Sequence, residues 1–196
     1  MIPCRVNPMG YPPYLRKLSY LESTGTQYIN TGIAPDFAGG DSIYIHYYGG
    51  SFSGAAPCSF GSRESGVRNG IYLLGLQSMT IADNNGYSSL GILVQVPAEL
   101  SMTVDDSVII ANDKEYAMPR RVTVGLPIFL FALNNYGTGA YGIYSGMKLY
   151  EWKYWRNGTL AQHLVPVLDR AKTPCLFDMV GRKFVYNAGT GNFNYA

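Results

Sequence analysis

From Leu18 onward the chain is written in short apolar runs separated by Gly, Asn, Asp and Ser, with no stretch of useful length at helical period. Ser42 to Tyr48, Gly70 to Gly75, Gly91 to Val96 and Ser107 to Ala111 each have the length of a strand. Asn112-Asp113-Lys114 reads as a hairpin turn leading into Glu115 to Met118. The run Pro127 to Ala132 is dense enough for a strand buried on both faces, and Asn134 to Gly139 reads as the loop after it. In Met147 to Trp155 a period of two places Tyr150, Trp152 and Tyr154 on one face and Glu151, Lys153 and Trp155 on the other. Charge marks the second face as wet and assigns the first to the core. Asn157-Gly158 is the strongest local signal, because a type I′ turn needs positive φ at both central positions, and Leu160 to Val167 is then the returning strand. Strands at near-regular spacing predict an all-β sandwich.

Residues 1 to 17 differ. They hold Pro3, Pro8, Pro12 and Pro13 together with Gly10, which excludes regular helix and central strand, because proline fixes φ and lacks an amide donor. This stretch reads as an extended arm before a single domain at 18–196. It is either a leader without fixed structure or a peptide docked on its own domain or on a neighbouring subunit.

Composition fits the pattern: 14% charged residues, 17 Tyr and 23 Gly suit tight turns and strands better than helices. A net charge of +2 without a Lys/Arg run lacks the electrostatic footprint of a nucleic-acid binder. Arg5, Arg16 and Lys17 are spread like charges on a solvated tail. Cys4, Cys58 and Cys175 form no Cys-x-x-Cys pair, and with only 2 His they make no zinc site; they read as free thiols, with one bridge in any of three pairings as the alternative. Residues 1 to 8 contain no apolar signal core, and no apolar run approaches a membrane span of about 18 residues, so neither conventional secretion nor membrane insertion is expected. Action outside a cell would then follow release by another route, such as host lysis.

The two ends of the chain carry the most specific signal. Tyr20-Leu21-Glu22-Ser23-Thr24-Gly25-Thr26-Gln27-Tyr28-Ile29-Asn30-Thr31-Gly32 opens it, and Phe177-Asp178-Met179-Val180, then Lys183-Phe184-Val185-Tyr186-Asn187-Ala188-Gly189-Thr190-Gly191-Asn192-Phe193, closes it. With Phe131 to Asn135 and Tyr150 to Gly158 between them, these four ordered segments resemble the laminin-G-like, concanavalin-A-like jelly-roll modules of bacteriophage structural proteins and gut-bacterial surface proteins. The resemblance implies two antiparallel sheets whose first and last strands are neighbours, closed by Gly-Thr-Gly, with Phe184 and Phe193 available for burial. Phe177 and Val185 stand where tyrosine is common, which looks like core tuning, and Leu133 replaces a usual Arg or Lys, removing a surface charge.

Function follows less directly. Glycosidases of the laminarinase type, which resemble this fold, need carboxylates about 5 to 5.5 Å apart for retention and carry Glu-x-Asp-x-x-Glu, a spacing absent here. Asp113 with Glu115, and Asp105-Asp106, are explained by turns. His46 and His163 have no nucleophile beside them and read as hydrogen-bonded structural histidines. No catalytic or metal-binding set is expected, although Asp36, Asp41, Asp83, Asn84 and Asn85 in apparent loops keep calcium in view as a ligand of lectin-like jelly rolls. For sugar binding, which pairs aromatic faces with amide hydrogen bonds, the expected exposed aromatics are Tyr47, Tyr87, Tyr136, Tyr141 and Trp155. The candidate ligand-binding residues are Asn134, Asn135, Tyr136, Tyr141 and Trp155. The resemblance implies a non-enzymatic virion component, a capsid decoration or tail or fibre attachment module that contacts other virion proteins and forms a homo-oligomer. The alternative is a lectin that recognises bacterial surface polysaccharide, on a virion or on a bacterial cell surface.

Overall fold

A computed structural model describes residues 12–50, 57–64, 69–74, 78–83, 86–91, 98–118 and 121–196. The chain folds as a two-layer β-sandwich, neither sheet closing into a barrel. The strands of the first sheet are β1 (Arg16–Lys17), β2 (Leu21–Glu22), β4 (Ser42–Gly49), β9 (Ala98–Val104), β10 (Val108–Ala111), β11 (Lys114–Ala117), β15 (Lys148–Arg156), β16 (Thr159–Leu168), β17 (Pro174–Asp178), β18 (Lys183–Val185) and β19 (Asn194–Tyr195). Its main path runs β11-β10-β9-β4-β15-β16-β17-β18, all antiparallel. The second sheet contains β3 (Ile29–Asn30), β5 (Cys58–Arg63), β6 (Gly70–Leu74), β7 (Ser78–Asp83), β8 (Gly86–Gly91), β12 (Phe129–Leu130), β13 (Leu133–Asn135) and β14 (Ala140–Tyr141), along the path β14-β13-β5-β6-β7-β8.

Alternation explains the core. In β4, Ile43, Ile45 and Tyr47 point inward between Tyr44, His46 and Tyr48, and β9 contributes Leu100, Met102 and Val104 to the same layer. Across the sandwich Phe60 meets Trp152 with ring centroids 6.1 Å apart. The Trp152 indole donates to Gln162 Oε1 at 3.2 Å, and Gln162 Nε2 donates to the Thr31 carbonyl at 3.0 Å, so the buried polar atoms of this contact are paired. The expected Asn157-Gly158 turn is present, with φ of 48° and 74°, and Asn112 and Asp113 form a second turn of the same sign.

Two expectations are corrected. A bulge in the pairing of β15 with β4 lies between Leu149 and Glu151, so Tyr150 and Glu151 both turn outward and Leu149 takes the core position assigned to Tyr150. The run Pro127 to Ala132 is buried from Ile128 onward, but it pairs as a strand only at Phe129–Leu130. Phe131 takes φ 67° and turns the chain back, so β12 lies antiparallel and β13 parallel to the same edge of β5. Position 133, expected at the surface, is consequently inside: Leu133 is buried and belongs to the packing. The expected strand Gly91 to Val96 lies outside the described residues after Gly91.

β17 and the second half of β16, from Leu164 to Leu168, are buried on both faces. Leu164, Leu168 and Leu176 belong to the main core, whereas Val165, Val167, Cys175 and Phe177 form a second cluster under Tyr14 and Phe184. Tyr14 meets Phe177 edge-on at 5.4 Å, and Arg16–Lys17 add to β16 at Leu168 and Val167. The described end of the arm therefore lies on its own domain; residues 1–11 lie outside the described ones.

The chain's two ends are clasped. β19, the last strand, pairs with β2, the first strand after the arm. Gln27 is buried, accepts from the Thr24 amide at 2.7 Å, and donates to Thr26 Oγ1 at 2.8 Å and the Thr190 carbonyl at 3.1 Å. Asn187 Oδ1 accepts from the Tyr28 and Gly189 amides at 3.2 and 2.8 Å, and Phe193 inserts against Phe131 at 5.0 Å. At Gly189 a Cβ would stand 2.1 Å from the Thr26 carbonyl oxygen, a backbone atom that cannot move aside cheaply. Gly189→Ala is therefore expected to destabilise by about 2–4 kcal/mol, and Gln27→Ala by about 1–3 kcal/mol through its orphaned partners. Gly91→Ala, where no described residue lies within 4 Å of the new methyl, should change stability by less than about 0.5 kcal/mol. Urea unfolding of the three variants checks this order.

Candidate functional site

Four of the residues singled out in the sequence fall near the end of β5, on the second sheet. Asn134 and Asn135 close β13, not a loop, and the turn to β14 is Tyr136 to Gly139. Asn134 is buried, its amide donating to the Pro127 carbonyl at 2.9 Å and accepting from the Gly137 amide at 3.2 Å, so both ends of the side chain hold backbone. Asn135, Tyr136 and Tyr141 instead gather around Arg63, the last residue of β5. Arg63 Nε donates to Asn135 Oδ1 at 2.7 Å, and its guanidinium lies 4.7 Å from the Tyr136 ring centroid, 5.9 Å from Tyr72 and 6.0 Å from Tyr141. Tyr136 and Tyr141 are 43% and 58% exposed, which leaves the cluster open to solvent.

Backbone conformation fixes this arrangement. Tyr136 has φ 59°, a left-handed state costly for a residue with a Cβ, and its amide donates to the Arg63 carbonyl at 2.9 Å. The turn is braced by the Thr138 amide and hydroxyl, both donating to the Asn135 carbonyl, at 3.0 and 2.7 Å. Tyr72 lies over Gly61, where a Cβ would meet its side chain at 2.3 Å. Among the described residues no carboxylate pairs with Arg63 and no acceptor engages its terminal nitrogens.

Trp155 does not join this cluster. It alternates with the buried Trp152 and Tyr154 on β15 and faces outward from the first sheet, on the opposite side of the sandwich. That outer face is a second aromatic surface. Lys148 lies over Tyr20 and Tyr48 at 4.8 and 5.5 Å, Lys153 over Tyr44 at 5.2 Å, and His46 packs on Tyr150 at 4.7 Å. His46 also hydrogen-bonds the Glu99 carboxylate, while Glu151 accepts from His163 at 2.7 Å and Lys153 at 3.0 Å. Burial raises the Tyr150 phenol above its ordinary value, helped by Glu99 and the neighbouring phenols. Partial burial of Glu151 works against its charge, yet hydrogen bonds and charge from Lys153 and His163 prevail and hold it below its ordinary value.

Of the other expected exposed aromatics, Tyr47 is fully buried, because it shares the inward face of β4 with Ile43 and Ile45, and the Tyr87 side chain lies outside the described residues. Asp36 and Asp41 are committed to their own loop. Asp36 Oδ1 accepts from the Gly39 amide at 3.0 Å and the Thr123 hydroxyl at 2.5 Å, and Asp41 accepts from the Asp36 amide at 2.7 Å and from the Tyr154 hydroxyl. Asn84, Asn85 and the Asp83 side chain lie outside the described residues, and among the described residues no three His, Cys, Asp or Glu converge as a metal site. Cys58 and Cys175 are buried free thiols whose pKa burial raises, that of Cys175 to about 12. No family model and no curated protein matches the chain.

Arg63 was not singled out in the sequence, since a lone arginine ending an uncharged segment carries no spacing signal. Arg63 organises the cluster only once β13 is laid parallel to β5.

The Glu151 environment has a pH consequence. A carboxylate held low in the fold adds stability that is present above its ordinary value of 4.5 and is lost as pH falls through the folded value. Glu151→Gln should therefore lower the melting temperature at pH 7, by an amount reflecting less than about 1 kcal/mol for so exposed a pair. The gap should narrow as pH falls below 4.5. Melting curves of both proteins between pH 7 and 3 measure it.

Proposed function

We propose that this chain is a non-enzymatic component of a bacteriophage virion, a capsid decoration or tail or fibre attachment module, working by protein–protein contact. The supports are the four ordered segments that resemble jelly-roll modules of phage structural proteins and, above all, the outer face of the first sheet. Tyr20, Tyr44, Tyr48, Tyr150 and Trp155 are half-buried there, and such residues supply much contact area for little conformational entropy. Lys153 is paired with Glu151 and His46 with Glu99, and Lys148 and Lys153 lie against aromatic rings, so covering this face strands little net charge. Other virion proteins or further copies of the chain are the partners this reading names, with closed symmetry for the latter.

The test is particle composition. Virions purified from the cell that makes the chain should contain it in fixed stoichiometry by mass spectrometry, and the folded double variant Tyr48→Ala/Tyr150→Ala should be incorporated at less than about a tenth of the wild-type level. Absence from particles, with the protein found on the bacterial envelope instead, would sink the virion reading.

A second reading is a lectin for bacterial surface polysaccharide, on a virion or a cell surface. The arrangement that favours it is the exposed Arg63, Asn135, Tyr136 and Tyr141 cluster, where ring faces and an amide stand together.

A further inference from the structure

We propose that the Arg63 cluster is a binding site for an acidic saccharide, with the guanidinium pairing the sugar carboxylate and Tyr136 and Tyr141 flanking the ring; this rests on the lectin reading and adds the charge of its ligand. Three observations converge. First, Arg63 is held on both sides: Nε donates to Asn135 at 2.7 Å, and Cζ lies over the Tyr136 ring, 4.7 Å from its centroid. An arginine so fixed has lost its rotamer freedom before a ligand arrives, and its terminal nitrogens present the fork that matches a carboxylate.

Second, among the described residues no carboxylate pairs with Arg63, although one lies one residue away. Glu64 follows Arg63 directly, yet its carboxylate accepts from the Gly125 amide at 2.5 Å. The ion pairs among the described residues involve His46, Arg121, Lys153 and His163. Third, Tyr136 occupies a left-handed backbone position, φ 59°, that Gly or Asn would fill at less cost. Its ring is nearly half exposed, so core packing does not account for the choice. Strain kept for an exposed aromatic over a cation is accounted for if the pair is used together.

A neutral sugar would use the tyrosines and Asn135 but leave the fork unpaired. A carboxylate on a non-sugar polymer would use the fork but not the rings. The combination selects a sugar ring that carries a carboxylate.

The experiment is affinity electrophoresis and titration calorimetry of the full chain with polygalacturonate, alginate and hyaluronate, each beside its carboxyl-reduced form, with poly-glutamate as the non-sugar polyanion. Retention by at least one native polyuronate, weakened about tenfold or more by carboxyl reduction, is expected. Arg63→Lys, which keeps the charge but loses the fork, and Tyr136→Asn, which suits the backbone but removes the ring, should each weaken it about tenfold. Arg63→Lys should keep the wild-type melting temperature and Tyr136→Asn should keep or raise it, while Met179→Ala, exposed and away from the cluster, should bind as wild type. Equal binding to native and carboxyl-reduced polymers overturns the acidic assignment while leaving the lectin reading standing. Equal binding to poly-glutamate overturns the saccharide. Retention by none of the polymers, native or reduced, removes both.

Discussion

The structure depends on a clasp between its two ends. Gln27 is buried near the start of the domain, and its amide is satisfied by Thr24, Thr26 and the Thr190 carbonyl from the last ten residues. A buried primary amide with missing partners costs more than a normal hydrogen bond returns. The opening loop is therefore complete only when the closing segment is in place. The dependence runs both ways, because Gly189 must approach the Thr26 carbonyl more closely than any side chain allows, and Phe193 fills the core beside Phe131. The clasp is also long-range, as β2 finds both β15 and β19 more than a hundred residues later.

Closing the sandwich in this way commits some surfaces and releases others. The segment before the clasp runs along β16 and places Tyr14 over Phe177, so the outer face of β16 and β17 becomes a second core. The remaining outer face of the first sheet keeps its tyrosines, lysines and histidines at the surface. On the opposite side, the reversal at Phe131 lays β13 parallel to β5 and delivers the Tyr136 turn to Arg63. Two differently built surfaces thus share one rigid frame: a broad, charge-balanced aromatic face and a compact cationic cluster with exposed rings.

Legibility in the sequence divided along the same lines. The Asn157-Gly158 hairpin, the alternation of β4 and the pairing of the chain ends were readable, because each depends on local chemistry or on a motif with a backbone reason. The bulge at Tyr150 was not, since a single extra residue inverts a period-two reading without leaving a compositional trace. Asn135, Tyr136 and Tyr141 were readable as an exposed polar and aromatic group, but Asn134 was indistinguishable from its neighbour until its amide was seen bracing Pro127 and Gly137. Arg63 was invisible because its role comes from a parallel pairing across some seventy residues, and Trp155 was misplaced because exposure along a strand does not say which sheet carries it.

Native-state hydrogen exchange tests the clasp most directly. The amides of Thr24, Tyr28, Ala188 and Thr190 all donate across or within it. The account predicts that they exchange only through global unfolding, at the same free energy and denaturant dependence as the central amides of β4 and β15. Exchange of these four by a low-energy local opening, while β4 and β15 stay protected, would show that the ends fray without consequence and would contradict the account.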